Sequence, residues 1–322
     1  MTNRPETPQD AEEPSNTRAL GRVLITGGGG FLGAAISKGL LDRGDDIVTS
    51  DIGFATSPDG ARVQCDVTRF DQVDDVVRQG GFETILHCGA VSGPMVMPDR
   101  PLDIWRINGD GTANVLEAAR RHQVTRVVIC STSEVYGDQA GHVDETTPPR
   151  PDNVYAASKL AGEQLMTAYA RQHGLDAVAL RLSWIYGPGR QTPTTLEKML
   201  RAAATGQPSR LTVPSDSYTH FLHIDDAVRG VILAARVEHL HERILNITAG
   251  RGVVMEDVVN LARDLYPEVT ITCAPADPTA RGLSGIDNIL AMRALEFRPQ
   301  TPLSKGIPDL CAHLASAPMG QN

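Results

Sequence analysis

The feature that most restricts the fold of this chain lies at residues 22 to 43. Val23-Leu24-Ile25-Thr26 is a short apolar run that passes straight into Gly27-Gly28-Gly29-Gly30. Phe31 to Arg43 then places Phe31, Ala34, Ala35 and Leu41 at helical spacing, up to Gly44. A strand, a glycine turn and a helix in immediate succession open a nucleotide-binding α/β sheet. Glycine permits the tight turn and lets the backbone approach an anion, which free N–H groups and the helix dipole then favour. Gly27, Gly30 and Gly33 follow the pattern Gly-x-x-Gly-x-x-Gly. With Phe31 and Leu32 at the helix start, they are the candidate cradle for a pyrophosphate. No Lys-Ser or Lys-Thr follows, which excludes a Walker-type phosphate loop.

The same rhythm continues. Apolar runs at 46–51, 84–88, 126–130 and 177–182 alternate with helical patterns at 70–78, 107–122 and 153–173. Strands alternating with helices require right-handed crossovers and a parallel sheet covered on both faces. The predicted fold class is therefore α/β, a doubly wound parallel (Rossmann) sheet with a smaller C-terminal substrate lobe. Residues 1–19 carry prolines and carboxylates without an apolar stretch and read as a flexible tail. Residues 20–186 form the cofactor-binding domain with the reacting groups. Residues 187–322 form a substrate-binding lobe, with helices at 196–205, 225–237, 255–265 and 303–314, a strand at 269–272, and segments returning to the main sheet.

Composition removes other classes. The net charge of −9 and an aromatic content of 4% argue against a nucleic-acid partner, which needs a basic face or stacking platform. The five cysteines are scattered without a Cys-x-x-Cys pair, so neither a disulfide framework nor a metal site is expected. No apolar run is long enough to span a membrane, and the N-terminus is no signal peptide. The expected setting is cytoplasmic and the expected ligand small.

Asp51 closes the second strand, where a carboxylate accepts both ribose hydroxyls of an adenosine and repels a 2′-phosphate. This favours NAD over NADP. Asp66 and Val67 follow the next strand candidate and can clasp the adenine, or simply end that strand. Tyr155 and Lys159 lie four residues apart on one helix face. An ammonium beside a phenol favours phenolate, and the tyrosine can then exchange a proton with a substrate hydroxyl. Thr132, at the end of the 126–130 run, can hold the reacting oxygen.

At this point the chain resembles the extended short-chain dehydrogenases/reductases, the NAD-dependent epimerase/dehydratase family. The resemblance covers about residues 21 to 315. It rests on Thr-Gly-Gly-Gly-Gly-Phe-Leu-Gly at 26–33, His87-Cys88-Gly89-Ala90, Asn108-x-x-Gly111-Thr112-x-Asn114 and Ser131-Thr132-x-x-Val135-Tyr136-Gly137. It continues through Tyr155-x-x-x-Lys159, Tyr186-Gly187-Pro188 and Phe221-Leu222-His223-Ile224-Asp225-Asp226. It implies a seven-stranded Rossmann sheet, bound NAD, and Thr132, Tyr155 and Lys159 as the catalytic trio. It also implies that Gly27, Gly30, Gly33, Asp51, Asp66, Gly89 and Ala90 contact NAD, with Asn108 beside the site. His87 supports backbone rather than chemistry. A homodimer through the helices at 107–122 and 155–173 is implied as well.

The departures concern substrate. Nucleotide-sugar members carry an asparagine where this chain has Trp184, and a diphosphate-holding arginine before the aromatic of the segment at 221–226, where this chain has Thr219 and His220. Loss of a charge-assisted phosphate contact favours a smaller sugar, sugar acid or hydroxy acid. Arg190 and Arg281 are candidate anion contacts, and Ser92, Ser133, Glu134 and Trp184 further substrate contacts. The string Ser131-Thr132-Ser133-Glu134 resembles that of UDP-glucuronate decarboxylases. Dehydrogenase chemistry therefore ranks ahead of epimerisation with retained NAD, then decarboxylation or dehydration. The non-enzyme alternative, an NAD-bound scaffold or sensor, is opposed by the intact trio.

Overall fold

The computed structural model describes residues 17–316 except Pro94 and Arg281. The expected anion contact at Arg281 thus lies outside the described residues. The first half runs β1 (Val23–Thr26), α1 (Phe31–Leu41), β2 (Ile47–Asp51), β3 (Arg62–Gln64), α2 (Phe70–Gly80), β4 (Thr84–His87), α3 (Pro101–Trp105), α4 (Gly111–Arg121), β5 (Arg126–Thr132), β6 (Gly141–Val143), α5 (Val154–His173) and β7 (Ala177–Leu182). The remainder runs β8 (Trp184–Tyr186), α6 (Thr195–Ala204), β9 (Ser209–Pro214), β10 (Tyr218–Thr219), β11 (Phe221–His223), α7 (Ile224–Arg236) and β12 (Ile244–Ile247). It ends with β13 (Val253–Val254), α8 (Met255–Leu265), β14 (Ile271–Ala274), β15 (Leu283–Ile286), α9 (Ile289–Ala294) and α10 (Leu303–Ser316).

Seven parallel strands form the central sheet in the order β12-β7-β5-β4-β1-β2-β3. The α/β doubly wound expectation holds, and the chain order reverses beside β1, where such sheets bind ligands. Side chains alternate between two cores because the strand period is two. Val23, Ile25, Leu86 and Val128 join Ile36, Leu40, Ala227 and Val231 on the α1/α7 face. Leu24, Ile85 and Val127 join Val73, Val77, Val115 and Met166 on the α2/α4/α5 face. Burial on both faces is why these strands read as continuous apolar runs. A third core links α6, α8 and α10 with β9 and β14.

Two departures from the sequence expectation bear on the main sheet and the site. The single helix at 107–122 is instead α3, a widened π turn over Arg106–Asp110, and α4. Asn108 in that turn is fully buried, and its amide accepts from the Val91 N–H at 2.7 Å and donates to Ser158 Oγ at 3.0 Å. The widened turn swings this side chain inward. The seventh strand, β12, carries no clear signal of its own at 244–247, because Ile-Leu-Asn-Ile becomes a strand only by pairing with β7.

One polar contact fastens α5 to the sheet. Glu163 is 0% exposed and Arg181, on β7, only 2%. Arg181 Nη2 donates to Glu163 Oε2 at 2.7 Å and Nε to Oε1 at 3.0 Å, while Ser131 Oγ donates to Oε1 at 2.5 Å. Removing one partner strands a buried charge at a cost of about 3–5 kcal/mol. Glu163→Ala should lower the unfolding free energy by about that much in urea titrations, and Glu163→Leu combined with Arg181→Met should recover most of it.

Candidate active site

The glycine loop is shaped by close approach. Gly27 has φ +68°, and a Cβ there would stand 2.7 Å from the Gly89 backbone. A Cβ on Gly33 would stand 2.2 Å from the Gly27 carbonyl oxygen. The turn lets α1 begin at Phe31 behind Gly30, and no side chain caps its first N–H groups. Those donors remain for an anion. Asp51 ends β2, accepting from the Gly29 N–H at 3.1 Å through Oδ2 and from the Gly53 N–H at 2.9 Å through Oδ1. Asp66 accepts from Thr68 N–H and Oγ at 2.9 and 2.8 Å. Val67 packs toward Gly89 and Gly111. The loop, its uncapped helix and the carboxylate at the strand end fit a dinucleotide.

Beside the loop opens a cavity of about 570 Å³. Its wall brings together Gly27, Gly30, Phe31, Leu32, Gly33, Ala90, Ser92, Thr132, Glu134, Tyr155, Lys159, Trp184 and Arg190. These positions come from the C-terminal ends of β1, β4, β5 and β7, from α5, and from the loop after β8. Ser133 and Asn108 are not brought to this wall. Ser133 is buried at the start of a short 3₁₀ turn, and Asn108 braces Val91 and Ser158. Gly89 lies behind the wall, against Gly27.

The groups expected to react differ electrostatically from the sequence expectation. Burial pushes the Tyr155 phenol up to about 12, with the Thr132 hydroxyl acting in the opposite direction. Burial also lowers the Lys159 ammonium, opposed by Cys130, Cys88 and Glu163. Desolvation, the largest influence on the phenol, thus acts against the phenolate that the Tyr155–Lys159 spacing leads one to expect. Thr132 Oγ accepts from the Glu134 N–H at 3.2 Å. Glu134 in turn accepts from the Trp184 indole at 2.7 Å. Arg190 is clamped by main chain, Nε on Thr192 O and Nη1 on Ile185 O, both at 3.0 Å. Its guanidinium lies over the Phe31 ring, 5.7 Å from the centroid.

A model of the NAD dependent epimerase/dehydratase family matches residues 23–248. The chain belongs to that family. It is an NAD-dependent enzyme of the extended short-chain dehydrogenase/reductase type, and NAD is its cofactor. UDP-glucose 4-epimerase of Corynebacterium glutamicum is 30% identical over 282 residues, spanning 81% of this chain and 84% of that protein. dTDP-glucose 4,6-dehydratase of Streptomyces griseus is 33% identical over 256 residues, spanning 74% and 76% respectively. The structure of Thermus thermophilus UDP-glucose 4-epimerase in complex with NAD matches with a TM-score of 0.81 at 26% identity, over 92% of this chain and 99% of that one.

Sequence reasoning missed two features of this family member's site. Glu163 extends the Tyr155–Lys159 spacing by one more helical turn, and that repeat was the available signal. The meeting of Cys88 with Cys130 follows only from strand register. His87 bridges two side-chain hydroxyls rather than bonding backbone directly. It is 1% exposed, with Nδ1 2.8 Å from Thr26 Oγ and Nε2 3.2 Å from Thr112 Oγ. Burial, with the nearby Lys159 charge, pushes its pKa down to about 3. A neutral native histidine means that the unfolded chain takes up a proton first as pH falls through 6.5. Its contribution is complete above that value and is lost towards pH 3. At about 1.4 kcal/mol per pH unit, about 2 kcal/mol should disappear between pH 7 and 5. Unfolding free energies measured across that range should show a correspondingly flatter slope for His87→Gln.

Proposed function

We propose that this enzyme oxidises a secondary hydroxyl of a sugar or sugar acid by hydride transfer to NAD. The observation that carries the reading is the gathering of Thr132, Tyr155 and Lys159 in one cavity with the glycine loop and Arg190. Bound NAD supplies the hydride acceptor and a cationic ring that favours the phenolate form of a nearby tyrosine. In this reading Tyr155 takes the hydroxyl proton, Thr132 holds the same oxygen, and Lys159 steadies the ionised phenol. The uncapped first N–H groups of α1, behind the glycine loop, hold the pyrophosphate and Asp51 the adenosine ribose, which selects NAD over NADP. Arg190, already positioned by two carbonyls, offers a fixed cation to a substrate carboxylate. Five free thiols fit a reducing, cytoplasmic setting. Pairing of two copies through α4 and α5 completes the reading, and a monomer in sedimentation at micromolar concentration would overturn that part.

A second reading, epimerisation of a nucleotide sugar with retained NAD, is favoured by the names of the relatives. Against it, Thr219 is buried in β10, and His220 Nε2 is committed to Leu283 O at 2.9 Å. These residues stand where the family resemblance calls for a diphosphate-holding arginine. A panel of sugars, sugar acids and UDP-sugars incubated with NAD separates the two. Stoichiometric NADH from a sugar or sugar acid supports dehydrogenation. Interconversion of a UDP-sugar without net NADH, with micromolar UDP binding by calorimetry, overturns it.

Tyr155→Phe should cut turnover by about 10²–10⁴-fold while NAD affinity stays within a few-fold. If Tyr155 is the base, the oxidation rate at saturating NAD should rise with pH as the phenolate fraction grows. The residual rate of Tyr155→Phe should lack that rise. Near-normal turnover in the variant would refute the assignment.

A further inference from the structure

Two cysteines meet in the cavity wall, and hydride transfer uses neither. β4 and β5 are parallel neighbours with His87 opposite Ile129. The next residue of each strand, Cys88 and Cys130, therefore face one another at the edge where ligands bind. Their sulfurs stand 3.5 Å apart. Both line the cavity, Cys88 half-buried and Cys130 7% exposed. Parallel neighbours hold their backbones about 4.8 Å apart, and a disulfide spans Cα separations of about 4.4–6.8 Å. Formation of a bond therefore asks for rotation of the side chains rather than movement of the strands.

The two thiols are also chemically unequal. The hydrogen bond from Cys88 and the nearby Lys159 ammonium lower the Cys130 thiol, against its burial. Cys88, as donor to a developing thiolate and itself desolvated, is held well above the usual thiol range. One nucleophilic sulfur beside one resolving sulfur, open to a solvent cavity, is the arrangement of a redox-active dithiol. Cys65 offers the contrast, buried on the α2 side of the sheet with its thiol pushed up to about 11.

We propose that Cys88 and Cys130 are a reversible modification site, forming a disulfide in the cavity wall on exposure to a peroxide. The Cys130 thiolate attacks one oxygen of hydrogen peroxide, the O–O bond breaks, and the departing hydroxide takes a proton to become water. The resulting sulfenic acid is attacked by the Cys88 sulfur, the S–O bond breaks, and the released hydroxide takes the Cys88 proton as a second water. Two thiols are oxidised to one disulfide, and one peroxide is reduced to two waters. Thr132 lies two residues beyond Cys130, so the oxidised pair sits against the reacting groups.

The test uses the full chain treated with hydrogen peroxide, then alkylated under denaturing conditions and mapped by mass spectrometry. The expected result is a linked pair of peptides containing Cys88 and Cys130, about 2 Da lighter than the two reduced peptides together and restored by dithiothreitol. These two thiols should be lost at least ~10-fold faster than Cys65. Cys88→Ser, which lacks the resolving thiol, should accumulate a sulfenic acid at Cys130 that dimedone traps. Loss of Cys65, Cys273 and Cys311 at the same rate overturns the proposal. So does survival of Cys88 and Cys130 as free thiols under conditions that oxidise the urea-unfolded chain.

Discussion

The geometry of the site depends on the buried contact between Glu163 and Arg181. Tyr155, Lys159 and Glu163 recur every four residues on α5, so they form one column about 12 Å long. Arg181 projects from β7, and Ser131 from β5 adds its hydroxyl to the same carboxylate. The far end of the column is therefore tied to two adjacent strands. Rotating α5 by one residue would turn the column away by about 100°, tearing a charge-assisted fork out of a buried enclosure. A purely apolar face would tolerate such slippage at lower cost, since Ala, Met and Leu contacts interchange readily. The guanidinium also rests on the Tyr136 ring at 4.9 Å, and Tyr136 donates to Asn246 on β12. Through that chain the last strand of the sheet is tied to the helix that carries Tyr155.

The other half of the site rests on close backbone approach rather than charge. Gly27 meets Gly89 with no room for a Cβ, and Gly33 meets Gly27 more tightly still. Between them sits His87, joining Thr26 on β1 to Thr112 on α4. Its neutrality matters, since a charged imidazole there would lie beside Lys159 in a place that burial makes costly. The turn at 27–30 and the wall at 87–90 are therefore one unit. The same steric demand that excludes side chains from the loop leaves the first N–H groups of α1 uncapped.

Much of this was legible because it is local. The glycine turn, the alternation of strands and helices, and the Tyr155–Lys159 spacing are each written within a few residues, and the sheet follows from their order. What escaped is set by pairing between distant segments. β12 is a strand because β7 lies beside it, and Cys88 meets Cys130 because two strands share a register. The break in the 107–122 helix arises because Asn108 is needed by Val91 and Ser158, neither of which is near it in sequence. Spacing likewise identified Tyr155 and Lys159 but misjudged the phenol, because four-residue proximity says nothing about desolvation. Nor did it distinguish Ser133, which turns inward, from Thr132 and Glu134 on either side, which reach the cavity.

The raised phenol bears on how such a site works. Tyr155 is held up to about 12 and Lys159 is lowered by the same burial. The protein's own groups thus bias each of the two toward its uncharged form. In a desolvated pocket the ionised tyrosine gains most from a cation that enters with its own charge already formed, because the protein need not sustain an unpaired anion beforehand. In the proposed reaction the nicotinamide ring is that cation. The basicity of Tyr155 then appears only when the hydride acceptor is in place, which couples proton removal to a loaded site. Lys159 is held in its charged form only by Cys130, Cys88 and Glu163, against its own burial. In that reaction the burial around Tyr155 would disfavour the phenolate in the free protein and sharpen its response to a cation.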